Sequence, residues 1–517
     1  MKNKKERKTS SALLKGSSFR VIQTVISIGI GFWMLPFLIS HLGSEDYALW
    51  VLIGSIISSY YLMDLGLNHT VTRYVARYIY TEEYDRANQI INTALLIYSV
   101  LGVVLFTLTV LAVFFIAPEI VNDPEDLRTA QAILLISGLS LSLEFPSKAF
   151  PGVISAYLRF DTIALVRTLG SVLSALAIFL FISNGSGVVT LAIISFVSNI
   201  TITIFFIYYS YNLFSSLDIA KKHVSKKDMI EIFHFSKWTF IVDVTNLLKN
   251  KMDIWMIASF LSSVGITTYF IAARLIEYAT QIVGQALGFT VPVFTKYYAQ
   301  DQLDKMAEAL VFFVKLYVLL LVLFVAGFIV LGEQFIRLWI GDEINIEVAY
   351  QCLIILAVGR LLVLITNPFV SVLMTIKKHK YVTYLSLVDT IAVTLSAIYL
   401  IPNYGLIGAA IAFSLVVGVL RVTYLPFIVS QLTGIKLIPL IFNSLFFIVY
   451  SSGVTYLFMS FIGGIDDWLK LILYAFIVGF SILPGTILLF SKNEKYEIKQ
   501  WVISKFKKQV GAIDESN

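Results

Sequence analysis

The side chains with the most chemical potential in this sequence sit where charge is least welcome, inside long apolar stretches. The stretch at about 236–261 carries Asp243, Asn246, Lys249, Asn250, Lys251 and Asp253. The next, at about 265–290, carries Arg274, Glu277, Gln281 and Gln285. An ionisable group at mid-bilayer costs about 2.5–3.5 kcal/mol on insertion scales, so such groups usually mark function. Asp243, Asn246, Asn250 and Asp253 recur at spacings of three and four, which draws one polar stripe along a helix. Counted from the turn near 261–265, Asp253 and Arg274 fall at similar depth, as do Lys249 and Glu277. Two readings follow. Ion pairs could lock the two helices together, or cationic side chains could face an aqueous cavity and hold an anionic group such as a diphosphate. Pairing alone does not account for Lys251, or for Arg360 near the middle of a later apolar stretch. Asp243, Asp253 and Glu277 are candidates for pairing within the cavity or for coupling to a cation. Lys315, Asp389, Glu144 and Asp64 lie nearer helix ends, where snorkelling or end pairing explains them.

Several chemistries are not written here. No Gly-x4-Gly-Lys-Ser/Thr loop occurs, so ATP is not hydrolysed by that route. His41, His69, His223, His234 and His379 are scattered without metal-ligand spacing, and Asp466-Asp467 reads as a hydrated turn. Cys352 is the single cysteine, which excludes a disulfide framework and a Cys-based metal site. Neither catalysis nor a cofactor, metal or nucleic-acid partner is expected.

The elements that must carry these groups are membrane helices. The chain has 517 residues, 58% hydrophobic and 14% charged, with mean hydropathy +0.83. A soluble domain is about a quarter charged, so this is an all-α integral membrane protein. Fourteen stretches meet the length of a spanning helix, at about 18–40, 47–68, 88–116, 128–147, 162–183, 187–212, 236–261, 265–290, 307–331, 347–374, 381–401, 405–429, 437–461 and 467–490. Turn chemistry separates them, as in Asn184-Gly185-Ser186-Gly187, Pro402-Asn403-Tyr404-Gly405 and Gly463-Gly464. Runs such as Val318 to Val330 do not alternate, unlike barrel strands.

Most of the 39 lysines and arginines then fall in loops on one side, while Arg128, Arg337 and Lys470 fall on the other beside acidic clusters. Basic loops are cytoplasmic, which places both termini inside. The first apolar stretch has full spanning length and no Ala-x-Ala cleavage site, so it is read as a helix rather than a signal peptide. Ile498, Trp501, Val502 and Phe506 among the tail lysines suit either a helix on anionic lipid or a solvated tail.

A shift of 219 residues aligns the two halves: Ser40 with Ser259, Leu42 with Leu261, Arg77 with Lys296, Tyr78 with Tyr297, Asp85 with Asp304 and Arg86 with Lys305. The shift carries the first helix onto the seventh, an even number of crossings, so the repeats are parallel. Transporters built this way bind substrate between their halves near the midplane. Ile30, Ser55 and Ser58 occupy the positions equivalent to Lys249, Arg274 and Glu277, so the charged set belongs to the second half.

Leu42-Gly43-Ser44-Glu45-Asp46-Tyr47-Ala48-Leu49-Trp50, Asp64-Leu65-Gly66-Leu67 and Arg73-Tyr74-x-x-Arg77 resemble the bacterial polysaccharide flippases of the multidrug/oligosaccharidyl-lipid/polysaccharide exporter superfamily. In the second half Phe235-Ser236-Lys237-Trp238, Asp253, Tyr269-Phe270-Ile271-Ala272 and Pro292 look alike as well. Ala48 departs from the pattern, where a Gly commonly follows the Tyr. The resemblance implies a basic N-terminus at 1–17, an N-terminal lobe at 18–213, a cytoplasmic linker at 214–235, a C-terminal lobe at 236–430, two further helices at 437–490 and a basic tail at 491–517. It implies alternating access that carries a polyprenyl-diphosphate-linked oligosaccharide from the cytoplasmic to the outer leaflet of the bacterial plasma membrane. Lys249, Lys251, Arg274 and Arg360 would contact the diphosphate or an acidic sugar. Glycosyltransferases and a polysaccharide polymerase would be neighbours. O-antigen, capsule, exopolysaccharide and teichoic-type polymers all fit. The alternative is a cation-coupled multidrug antiporter of the same superfamily, although those exporters typically have twelve helices and N-terminal-lobe carboxylates. Here the first helix, Val21 to Ser40, contains none.

Overall fold

Backbone N–H and C=O groups have no water to bond with in hydrocarbon, so each spanning segment must satisfy them internally. The computed structural model describes residues 2–64, 67–121, 123–230, 252–261, 263–288, 290–341, 343–378, 380–435, 438–461, 465–491 and 494. Every regular element among them is a helix. Ten candidate spans are long and apolar enough to cross a membrane. Two of the ten are pairs: Val21–Asp64 breaks at Gly43 (φ 83°, ψ 165°) and Lys380–Thr433 at Gly405 (φ 58°, ψ −137°). Both glycines adopt conformations that cost side-chain-bearing L-residues about 1–2 kcal/mol or more. Twelve crossings result. Helix Ser263–Leu287 has spanning length at 25 residues. Among the described residues thirteen of the fourteen expected stretches are therefore helical, and the stretch expected at 236–261 lies mostly outside them.

The internal repeat has a backbone signature. Glu82, Leu158, Asp301 and Lys377 are the non-glycine residues with positive φ among the described residues, and they fall into two pairs 219 apart. Each closes a helix with the same two bonds. Glu83 N–H donates to the Tyr78 carbonyl (2.9 Å) and Gln302 N–H to that of Tyr297 (2.9 Å). Arg159 N–H likewise reaches the Ile154 carbonyl (3.2 Å), and Lys378 N–H that of Leu373 (2.8 Å). These are Schellman closures, with a left-handed residue where glycine is usual. Arg77 lies over the Tyr78 ring at 5.7 Å and Lys296 over Tyr297 at 5.9 Å, one more matched pair.

The structure also sets short helices in matched places: Leu67–Tyr80 and Thr290–Ala299, then Ala149–Ala156 and Asn367–Thr375, the last at the end of the expected stretch 347–374. Leu67, Val71, Val75 and Ile79 are buried at four-residue spacing, while Arg73 and Arg77 lower the average hydropathy of that stretch. Amphipathicity hides such a helix from a search for uniformly apolar segments.

Two units form, Met1–Phe270 and Ile271–Asn517. Residues 252–270, which the repeat assigns to the second lobe, thus cluster with the first unit. Trp255 Nε1 donates to Ser55 Oγ (2.9 Å) and Thr267 Oγ1 to the Ser44 carbonyl (2.7 Å). The core of the first unit gathers Tyr98, Phe145, Phe150, Phe206 and Phe214. That of the second gathers Phe294, Phe313, Phe369, Phe447 and Phe490.

In the first unit the start of the expected linker is clamped by helix Tyr84–Leu111. Asn88 Nδ2 donates to the Ser216 carbonyl (2.8 Å), and its Oδ1 accepts from Asp218 N–H (3.1 Å). One turn on, Asn92 bonds the Asp218 carbonyl (2.8 Å) and Ala220 N–H (2.9 Å) in the same way. Two amides at i, i+4 thus read alternate residues of a segment outside any helix. Thr93 and Arg86 extend the clamp to Ser225 N–H (3.1 Å) and to buried Asp228 (3.2 Å). Hydrogen bonds from Lys222 (2.8 Å) and His223 (2.9 Å) hold the Asp218 carboxylate below its usual range.

In the second unit Arg421 Nε donates to Asp389 Oδ2 (2.7 Å) with both residues buried, and Asp389 Oδ1 has no hydrogen-bond partner. Lys315 Nζ reaches both oxygens of Glu494 (2.9 and 2.8 Å). Ser491 and Glu494 exchange the reciprocal bonds of a capping box (2.7 and 3.3 Å). The remainder of the basic tail lies outside the described residues.

Asn88→Ala with Asn92→Ala should speed amide exchange at Asp218 and Ala220 by about tenfold, since each lost bond is worth about 0.5–1.5 kcal/mol. The Asp218 contribution is fully present above the ordinary carboxylate range and lost as pH falls through its lowered one. Exchange at 216–220 should therefore also rise in acid. Arg421→Met, which strands a buried carboxylate, should cost about 3–5 kcal/mol, and adding Asp389→Leu should recover most of it. Buried Cys352, the single cysteine, reports unfolding through a thiol-reactive dye during a thermal ramp.

Candidate functional site: an exposed polar row on a long helix

Helix Ser263–Leu287 is oriented by its apolar face. Ile271, Ala272, Leu275, Ile276, Ala279, Val283 and Leu287 are buried, and within the second unit Val283 and Leu287 pack on Tyr317. The opposite face carries Arg274, Glu277, Gln281 and Gln285 at spacings of three and four, each half-buried or exposed. Arg274 Nη1 donates to Glu277 Oε2 at 2.7 Å, with side-chain exposures of 32% and 50%. Gln281 Nε2 donates to Glu277 Oε1 (3.2 Å), and the guanidinium lies 5.9 Å from the centre of the Tyr278 ring.

Magnitudes separate the two readings of this row. An ion pair this exposed contributes only about 0–1 kcal/mol, so it does not hold the fold together. Each charge facing hydrocarbon would cost about 2.5–3.5 kcal/mol. The open side of the row therefore calls for water rather than lipid. Arg274 and Glu277, which depth alone set level with Asp253 and Lys249 on the preceding stretch, bond to each other. Spacing i, i+3 on one helix places them within reach at no cost in chain ordering.

Asp253 is buried at 5% exposure. Its Oδ1 accepts from Ile254 N–H (2.9 Å) and its Oδ2 from the Tyr269 hydroxyl (3.4 Å). Arg360 is half-buried on helix Ile346–Ile365, and a helix contact at the adjacent residue sets its direction. A Cβ on Gly359 would collide with Ser414, and one on Gly418 would lie 2.8 Å from the Gly359 carbonyl oxygen. Only small residues allow this approach, and Arg360, one residue on, turns about 100° away from it. Asp243, Lys249 and Lys251 lie outside the described residues. Arg274 and Glu277 are thus brought together.

One cluster in the first unit could not be assembled from sequence. Asp64 accepts from the Tyr98 hydroxyl (2.9 Å) and faces Lys148 Nζ (3.8 Å). That ammonium sits 3.9 Å from the centre of the Phe145 ring and 4.4 Å from that of Tyr61. The three polar residues are far apart in the chain, so no spacing announces them. Glu144 and Lys148, at i, i+4, were the available hint.

The sequence profile of a family described as polysaccharide biosynthesis protein matches residues 13–298. An uncharacterized membrane protein, EpsK of Bacillus subtilis strain 168, is 23% identical over 503 residues, covering 95% of this chain and 97% of its own. In fold the chain is similar to the lipid II flippase MurJ in an inward closed conformation, with TM-score 0.68 and 16% identity over 90% of this chain and 97% of that one. It is also similar to an inward-facing multidrug resistance MATE family transporter of the MOP superfamily, with TM-score 0.62 and 19% identity over 80% of this chain and 96% of the other. These likenesses are of fold. With the profile spanning more than half of its length, the chain belongs to the polysaccharide biosynthesis protein family.

Proposed function

We propose that this multi-pass membrane protein is a flippase that moves a polyprenyl-diphosphate-linked oligosaccharide from the cytoplasmic to the outer leaflet of a bacterial plasma membrane. The observation that carries this reading is membership of a polysaccharide biosynthesis family by a chain with the fold of membrane transporters. A glycan head group cannot cross hydrocarbon unsolvated, whereas a prenyl tail is at home there. Such a substrate needs a wet, polar lane beside lipid, and the exposed row from Arg274 to Gln285 supplies one side of it. Arg274 and Arg360, with Lys249 and Lys251, are assigned to the diphosphate or to acidic sugars. Arginine suits this task because its planar fork meets phosphate oxygens in pairs. Glu277, Asp253 and Asp243 then keep the cations apart from one another and are the candidates for cation coupling.

With both termini cytoplasmic, the direction of transport is favoured by the membrane potential. Moving two negative charges outward across an inside-negative membrane gains about 2.3 kcal/mol per charge per 100 mV. Glycosyltransferases that build the substrate and a polymerase that consumes it are the expected neighbours. The fold likeness to a MATE transporter makes a cation-coupled multidrug antiporter the second reading.

If the row faces water, Glu277→Cys and Gln281→Cys in a Cys352→Ala background should react with a charged thiosulfonate in intact membranes, while Leu275→Cys and Ala279→Cys should not. Equal reactivity of both faces would sink the cavity. In a deletion strain, wild type should clear lipid-diphosphate-linked glycan from the inner leaflet and restore surface polysaccharide, and Lys249→Ala with Arg274→Ala should do neither. Rescue by both would remove the cationic site. New sensitivity to cationic drugs without glycan build-up would favour the antiporter.

A further inference from the structure

Tyr384, Leu385, Val388, Leu420, Thr423 and Tyr424 line an apolar recess of about 360 Å3 between the chain's 380–401 and 416–433 stretches. Its size is within the range of roughly 300–1,000 Å3 typical of small-ligand sites. The recess opens onto an unpartnered stripe: Tyr384, Val388, Ile391, Leu395 and Ile398 are 50–64% exposed at three- and four-residue spacing. A stripe this long and apolar is what a helix presents to lipid tails.

Three lysines stand at the start of the helix that carries this stripe. Lys380 lies one turn before Tyr384 on the same helical face, and Lys377 and Lys378 form the turn just before it. All three are exposed. The turn holds Lys377 in the left-handed region (φ 59°), where glycine would be usual. The equivalent place in the first unit is built differently. There Leu158, Arg159 and Asp161 replace the three lysines, and Arg159 is taken up by Asp161 at 3.1 Å. A concentration of positive charge beside an apolar recess therefore belongs to the second unit alone among the described equivalent turns.

We propose that this recess holds an acyl chain of an anionic phospholipid whose phosphate is bound by Lys377, Lys378 and Lys380. Charge complementarity selects the headgroup and the recess selects the chain, so one lipid occupies both. The site is separate from the polar row on helix Ser263–Leu287 and does not depend on what the protein transports.

Native mass spectrometry of the delipidated full-length protein in detergent tests this. Dioleoylphosphatidylglycerol should be retained at least about tenfold better than dioleoylphosphatidylcholine, since each lysine near anionic lipid is worth roughly a fivefold gain. Lys377→Gln, Lys378→Gln and Lys380→Gln together should abolish that preference. Thr423→Trp, which fills the recess from its exposed side, should lower retention of both lipids while leaving the melting temperature unchanged. Equal retention of the two lipids by wild type would overturn the proposal, as would an unchanged preference in the triple lysine variant. Loss with the lysines but not with Thr423→Trp would reduce the site to surface charge and overturn its apolar half. Displacement of the glycerol lipid by undecaprenyl phosphate at lower concentration would assign the recess to a different occupant.

Discussion

Hydrogen bonding without water is the constraint on which this structure rests. Along most of each helix the backbone has no outside partner, so the chain turns only where its polar groups can be closed off locally. The four matched turns at Glu82, Leu158, Asp301 and Lys377 show how. Each accepts a left-handed residue, at a cost of about 1–2 kcal/mol for an L side chain, because the two carbonyls it satisfies would otherwise end a membrane helix unpaired. The same economy governs Asn88 and Asn92, whose amides complete the hydrogen bonding of a segment outside any helix.

Charge is sorted by the same rule. Arg421 with Asp389 and Lys315 with Glu494 are buried or largely so, and each charge is answered inside its own unit. Lys148 is answered partly by Asp64 and partly by the faces of two aromatic rings. Breaking such sets leaves an unanswered charge, which makes them structural whatever else they do. Arg274 and Glu277 differ in kind. Their pair is open on one side and contributes little to stability, so its presence on a helix otherwise built for burial is explained by what it faces.

The repeat makes the contrast sharper. Ser55 and Ser58 stand at the positions equivalent to Arg274 and Glu277. Ser55 is buried at 2% exposure and accepts from the Trp255 indole, a packing role. One copy of the ancestral helix thus closes a core while the other carries an exposed ionic row. The turns at Leu158 and Lys377 diverge similarly, sharing a backbone conformation but not a charge pattern. The two halves thus share a backbone frame and differ in the polar side chains it carries.

Apolar length and glycine breaks are local properties, and they were sufficient for the helical class and for the spans among the described residues, as matched residues were for the 219-residue repeat. Gly405 breaks its helix where turn chemistry predicted, and Gly43 falls in the gap between the first two expected stretches, because a positive φ is a demand on one residue. The short helices Leu67–Tyr80 and Thr290–Ala299 escaped, since amphipathic segments average to unremarkable hydropathy. The polar row was legible as spacing, but its partners were not. Depth counting set Arg274 level with Asp253; three-dimensional packing puts the Tyr269 hydroxyl on Asp253 and Glu277 beside Arg274. The same holds for Asp64, Tyr98 and Lys148, and for the lysines at the mouth of the recess. Sequence determines which residues share a helical face, because the helix period is fixed. Which face meets core, water or lipid depends on contacts between distant segments, and only the tertiary structure sets those.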